Sequence, residues 1–217
     1  MLFSNLFANP LMFIFYILAL FAAITIHEFS HALAADLLGD PTPRLQKRLT
    51  LDPRAHIDPF GLLFLFFFGF GWGKPVEFDP FNLKNPRRDT ALISFAGPLS
   101  NLILALILSI ILKLFIFFNI KTLYTIGILF FLPMIYLNIV LAIFNLIPIH
   151  PLDGFKIIGG ILPEKQAKEW YSLEKYGIIF LLMLFFPLGK TSMIDLLIKP
   201  AVNFLTNLLL PFSSGII

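Results

Sequence analysis

The run from about Leu11 to Leu38 constrains this chain more than any other stretch. It is apolar along nearly its whole length, and at 1.5 Å per residue it is longer than the roughly 30 Å hydrocarbon core of a bilayer. Yet it contains His27, Glu28 and His31. Ionisable side chains are expensive in hydrocarbon and need partners there, so a group of three at this depth marks a candidate functional site. On a helix, residues four apart leave the same face one turn above each other. His27 and His31 therefore present both imidazoles to one point, with Glu28 beside the first. That geometry can grip one zinc ion and hold a base next to its water.

Composition agrees with a membrane environment. Of the 217 residues 58% are hydrophobic and only 13% charged, with 27 Phe, against about 25% charged residues in an ordinary soluble domain. The expectation is a single membrane-embedded domain over 1–217, with a core at 11–154 and a hydrophobic hairpin at 176–210. A net charge of +3 does not point to nucleic acid, because the basic residues sit in short gaps between apolar runs, as in loops that face lipid headgroups and the cytoplasm. With no Cys, thiolate ligands are excluded and any metal is held by His and carboxylate. The first run lacks a basic leader and reads as a retained span, not a cleaved signal.

Three full spans are expected, at Leu11–Leu38, Thr90–Phe118 and Leu123–Ile149. Arg44, Lys47, Arg48 and Arg54 follow the first span, and Lys156, Lys165, Lys168 and Lys175 follow the third. The excess of positive charge places the N-terminus outside and both of these helix ends on the cytoplasmic side of the cell membrane. Between spans one and two, Gly61–Phe70 is apolar but too short to cross, which suggests a re-entrant segment. Val76–Phe78, flanked by prolines, reads as a short edge strand. The tail, broken at Pro187, Gly189 and Lys190, crosses twice or dips. The fold class is thus all-α and polytopic, a three-helix core plus a C-terminal hairpin, with a small re-entrant or β element near 61–80.

Topology supplies the missing part of the site. The ends of spans one and three meet at the same face, and Asp153 lies just beyond the third span as the sole acidic residue between Asp89 and Glu164. Two histidines and an aspartate with a fourth position open make a catalytic rather than a closed zinc site. Zinc would activate water and polarise a carbonyl, with Glu28 moving the proton, which is peptide-bond hydrolysis.

The ordered set HEFSHALAADLLGD, RAHIDPFG, GWGKPVEFDP, SFAGPLSN and NLIPIHPLDG resembles the site-2 protease family of intramembrane zinc metalloproteases, in its short prokaryotic form without PDZ or CBS domains. The resemblance implies one Zn²⁺ per chain, with His27, His31 and Asp153 as ligands and Glu28 as catalytic carboxylate. It also implies that Asn145 assists the transition state and that Val76, Glu77 and Phe78 receive the substrate. An edge strand suits that task, since a transmembrane helix must unwind before its peptide bonds are open to attack, and strand pairing replaces the hydrogen bonds it loses. The implied partners are a transmembrane protein substrate and the lipid bilayer, with cleavage near the cytoplasmic face.

Blander readings stand beside these. Asp153 could be a turn residue before Gly154, and Asn145 could satisfy backbone freed by Pro148. His56 reads as a solvated or structural loop histidine. His150, which departs from the family pattern, is a spare ligand, a proton shuttle or a surface residue. Ser100 and Asn101 read as packing residues of the second span. A zinc or proton transporter, or a non-catalytic scaffold, would use the same intramembrane group.

Overall fold

The computed structural model describes residues 9–68, 71–185, 187–188 and 191–210. Among these, three helices are long and apolar enough to cross a membrane: α1 (Pro10–Leu37), α3 (Pro86–Phe117) and α4 (Lys121–Asn145). A shorter helix, α2 (Pro59–Phe68), lies between the first two. After α4 come α5 (Asp153–Ile161), α6 (Glu164–Tyr171), α7 (Gly177–Phe185) and α8 (Met193–Leu209).

Local chemistry sets the ends of α1. Pro10 occupies the first turn, where no N–H is required, and the Asn9 side chain accepts from the Met12 N–H. At the other end Gly39 takes a φ of +107°. This lets the Gly39 N–H return to the Asp36 carbonyl and the Asp40 N–H to the Ala35 carbonyl, so the last carbonyls are satisfied as the chain reverses.

Helix α3 packs along both α1 and α4, which also touch each other, and α5 folds back onto α3. The main apolar core joins α3, α4 and α8 through Ala105, Leu108, Leu112, Ile135, Ile139, Ile198 and Val202. Large apolar side chains such as Leu18, Ile107, Phe117 and Ile126 remain exposed, as expected of helices whose outer face meets lipid.

The span ends move relative to the sequence reading. The second span starts four residues earlier because Asn85 and Pro86 begin a helix that carries Arg87, Arg88 and Asp89 in its first turn. The third ends at Asn145, and residues 146–152 form a tight turn with a cis His150–Pro151 bond. In the tail, α7 has nine residues, about 14 Å of helix, too short to cross. It is joined to α8 through a two-stranded antiparallel contact, β1 (Pro187–Leu188) with β2 (Thr191–Ser192); Gly189 and Lys190 lie outside the described residues. Val76–Phe78 forms no regular element and pairs with no strand among the described residues. The bridge in this region is Ile57 with Gly73, antiparallel.

Candidate metal centre

Helix α1 brings His27 and His31 to one face, and both are buried. Where their rings face α3, that helix carries Gly97. A Cβ built there would stand 2.4 Å from His31 Nε2 and 2.7 Å from His27 Cε1. Only a residue without a side chain lets α3 approach closely enough to wall the site.

Hydrogen bonds set the state of both rings. His27 Nδ1 is 2.7 Å from Asn101 Oδ1. The Asn101 amide nitrogen donates to the Ala23 carbonyl at 3.0 Å and to Asn138 Oδ1 at 2.7 Å, and Asn138 in turn donates to the Met134 carbonyl. These donations orient both amides, so Asn101 offers His27 an oxygen and His27 Nδ1 carries the proton. His31 Nδ1 donates to the Ile93 carbonyl at 2.7 Å. In the neutral rings, with the proton on Nδ1, both Nε2 atoms present lone pairs.

Those lone pairs point at each other and at Asp153. The Nε2 atoms are 3.0 Å apart, and Asp153 Oδ2 lies 3.1 Å from His27 Nε2 and 3.2 Å from His31 Nε2. Asp153 Oδ2 is buried with no hydrogen-bond donor. Three such electron-rich atoms repel one another unless a cation, a proton or a metal ion, sits among them. Ligands about 2.0–2.1 Å from one tetrahedral ion stand about 3.3 Å apart, close to the three separations here. The group His27, His31 and Asp153 could hold a metal ion, and its nitrogen and oxygen donors suit zinc.

Asp153 reaches this point because the turn after α4 is tight. A Cβ on Gly154 would meet the Leu146 and Ile147 carbonyl oxygens at 2.3 and 2.5 Å, so glycine lets α5 start directly against the end of α4.

Glu28 faces the Gly73–Val76 segment, with its Oε1 near Gly73. Its Oε2 accepts the Val76 N–H at 2.9 Å. The stretch expected to receive substrate therefore already spends one backbone donor on the candidate base, while the N–H groups of Glu77 and Phe78 have no partner among the described residues. The Glu77 carboxylate accepts from Gln46, and Phe78 packs on the Ala35, Leu83 and Ile93 cluster beneath Lys156.

Other residues fall away from the centre. Asn145 donates to the Leu141 carbonyl of its own helix and makes no hydrogen bond to the three gathered side chains. His150 faces Glu174 at 3.8 Å and packs edge-on against Phe155. His56 is fully buried and bonded through Nε2 to the Thr50 carbonyl. Burial pushes its imidazole below the ordinary value, and the nearby Arg48 charge acts in the same direction. Asn101, expected to be a packing residue, instead faces His27, and Asn138 behind it is the polar residue that pattern reading missed. An amide in an otherwise apolar span needs a partner, and that signal was present for both. Arg48, counted above as a loop charge, is buried, and nothing local announces it.

Comparison with known proteins bears on this geometry. A family model described as peptidase family M50 matches residues 15–126 and 114–187. The chain is 41% identical over 178 residues to "Putative zinc metalloprotease YwhC" of Bacillus subtilis, covering 80% of this chain and 81% of that protein. It is 31% identical over 179 residues to "Putative zinc metalloprotease Rip2" of Mycobacterium tuberculosis, covering 80% and 67%. Over 193 residues it is 28% identical to "Zinc metalloprotease MJ0392" of Methanocaldococcus jannaschii, covering 85% and 46%. No solved structure matches the chain significantly.

Proposed function

This chain belongs to peptidase family M50, and on that premise we propose that it is a multi-pass membrane zinc protease that cuts transmembrane segments of other proteins near the cytoplasmic face. The observation that carries the reading is the meeting of two imidazole Nε2 atoms of a membrane-spanning helix with a buried carboxylate oxygen.

His27, His31 and Asp153 would hold the ion. When bound, zinc supplies Lewis acidity, lowering the pKa of water at the site to about 7 and polarising a peptide carbonyl. Glu28 takes the proton of the attacking water and returns it to the leaving nitrogen, a role that general acid–base catalysis makes worth about 10²–10⁴-fold. The Val76 N–H keeps that carboxylate oriented. Asn101, through His27 Nδ1, and the Ile93 carbonyl, through His31 Nδ1, hold the rings so that Nε2 faces inward. The unpartnered backbone of Glu77 and Phe78 supports this stretch as the place where an unwound substrate pairs. Asn145 sits in the last turn of α4, eight residues before Asp153, and we assign it to assist the transition state: its amide nitrogen spends one hydrogen on the Leu141 carbonyl and keeps the other to donate to a developing oxyanion.

The basic residues between α1 and α3 and after α4 support an outside N-terminus and a cytoplasm-facing site. The test is cleavage of a transmembrane protein by purified enzyme. Glu28→Gln is expected to lower the rate by about 10²-fold or more with zinc content unchanged, and full activity in that variant would overturn the mechanism.

A further inference from the structure

Arg48 lies in a loop whose charges, by sequence, face the cytoplasm, yet it is only 4% exposed. The preceding residue, Lys47, takes a φ of 57°. This left-handed step ends the one-turn helix Thr42–Leu45, and the Arg48 N–H returns to the Pro43 carbonyl at 2.8 Å. The guanidinium then donates to two carbonyls from different stretches of chain, Ala55 and Lys74.

Those two carbonyls flank the one isolated bridge among the described residues. Ile57 pairs with Gly73, and the Lys74 N–H donates to the His56 carbonyl at 2.8 Å. Two residues further on, the Val76 N–H meets Glu28 Oε2. Gly73 lies close against α1: a Cβ there would stand 2.9 Å from Ile24 Cγ2 and 3.6 Å from Glu28 Oε1. A continuous chain of contacts thus runs from Arg48 through Lys74 and Val76 to Glu28. No carboxylate pairs with Arg48 within 4 Å among the described residues. Burial pushes the guanidinium below its ordinary value, and the Glu28 and Glu77 charges draw it back up. A planar fork with donors at fixed angles suits two carbonyls from separate loops better than a flexible ammonium does.

We infer that Arg48 is a positioning residue for Glu28: by clamping the Ala55 and Lys74 carbonyls it holds the Gly73–Val76 strap on α1, so that the Val76 N–H fixes one oxygen of Glu28 and leaves the other for proton transfer. The inference rests on the reading of Glu28 as the base. Its consequence is that the candidate substrate stretch, Glu77–Phe78, and the base are aligned by one rigid piece. Misplacing a catalytic group by about 1 Å costs about 10²-fold, so a residue without contact to substrate controls turnover.

The test uses the full chain in detergent or nanodiscs, with Arg48→Gln, Arg48→Lys, Val76→Pro and the Arg48→Gln/Val76→Pro double variant. Arg54→Gln, a neighbour whose side chain is 90% exposed, is the control. Three quantities are read: zinc content, hydrogen exchange of the Val76 amide, and kcat and KM on a transmembrane peptide cleaved by the wild type. Arg48→Gln is expected to keep its zinc, speed Val76 exchange about tenfold, and lower kcat about tenfold or more with KM changed by less than about threefold. Glu28→Ala should speed the same amide to a similar degree. Arg48→Lys should fall between wild type and Gln. The double variant should be no slower than Val76→Pro alone, because both changes break one linkage.

An unchanged kcat in Arg48→Gln, a loss of activity that tracks a loss of zinc, or additive effects in the double variant would each overturn the inference. If Arg48→Gln does not fold, Arg48→Lys is judged by the same criteria. The exchange measurement needs no turnover. A wild type that cleaves nothing would sink the protease reading, while the Val76 amide would still report whether Arg48 holds the strap.

Discussion

Asn101 does for His27 what the Ile93 carbonyl does for His31, and the difference between the two makes the first testable. A side-chain acceptor can be removed and a backbone carbonyl cannot. Asn101→Ala leaves His27 Nδ1 without its 2.7 Å partner and strands Asn138 Oδ1 in a buried setting. The ring is then free to rotate or to carry its proton on Nε2, where it cannot bind a metal. Zinc affinity measured by competition with a chelator should fall about 10–100-fold, and unchanged affinity would show that packing alone holds the ring. The histidine pair itself was legible in the sequence, since four-residue spacing on one helix needs no tertiary information. Asn101 was read as a packing residue, and Asn138 was passed over, because a lone Asn in an apolar run does not reveal which group it faces.

At the scale of elements, two short connections decide where the chemistry stands. The first is the turn into α5. Gly154→Ala drives a methyl against backbone oxygens that cannot move aside, so α5 must shift and carry Asp153 with it. Overpacking of this kind costs about 1–3 kcal/mol, and the variant should show both a lower melting temperature and reduced zinc content. A change in neither would mean that the turn relaxes elsewhere. The second connection is the loop after α1. The buried Asp40 carboxylate accepts from the Thr42 N–H and hydroxyl, the Asp79 N–H and the Asn82 amide, tying the end of α1 to the segment that follows the strap. Burial raises the pKa of its carboxyl, but the four donors outweigh burial and hold it below the ordinary value. A depressed folded pKa contributes stability above the unfolded pKa, near 4, that is lost as pH falls through the folded value. Asp40→Asn should therefore cost about 1–3 kcal/mol at neutral pH. The gap between variant and wild type should narrow below about pH 4, as followed by thermal unfolding across pH; a constant gap would contradict the assignment.

For the whole molecule, the centre joins α1 to α5 across a bundle whose apolar core lies mainly on the other side, among α3, α4 and α8. A bound ion thus cross-links helices that few buried apolar side chains otherwise hold. Chelation should lower the melting temperature of the detergent-solubilised protein. Added zinc at about a hundred times its dissociation constant should restore about 2.7 kcal/mol, whereas magnesium, which prefers an all-oxygen octahedral shell, should not. Restoration by magnesium would argue against the nitrogen-rich ligand set.

Sequence alone determined the membrane class, the three spans and the candidate site at the ends of the first and third. Span length, charge bias and helical spacing are properties of short stretches and survive without a fold. The start of the second span and the end of the third each slipped by four residues, because capping and tight turns, not hydropathy, end a helix. The tertiary structure alone decided the rest: that Asp153 comes within 3.2 Å of both imidazoles, that Asn101 and Ile93 set their tautomers, that Arg48 is buried and not a surface charge, and that Val76 spends its N–H on Glu28. Each of these pairs groups more than forty residues apart in the chain or depends on a burial that no local pattern encodes. What a polar group faces is set by how closely helices approach, and here that closeness turns on Gly97 and Gly154, where a single methyl group would occupy the space the site requires.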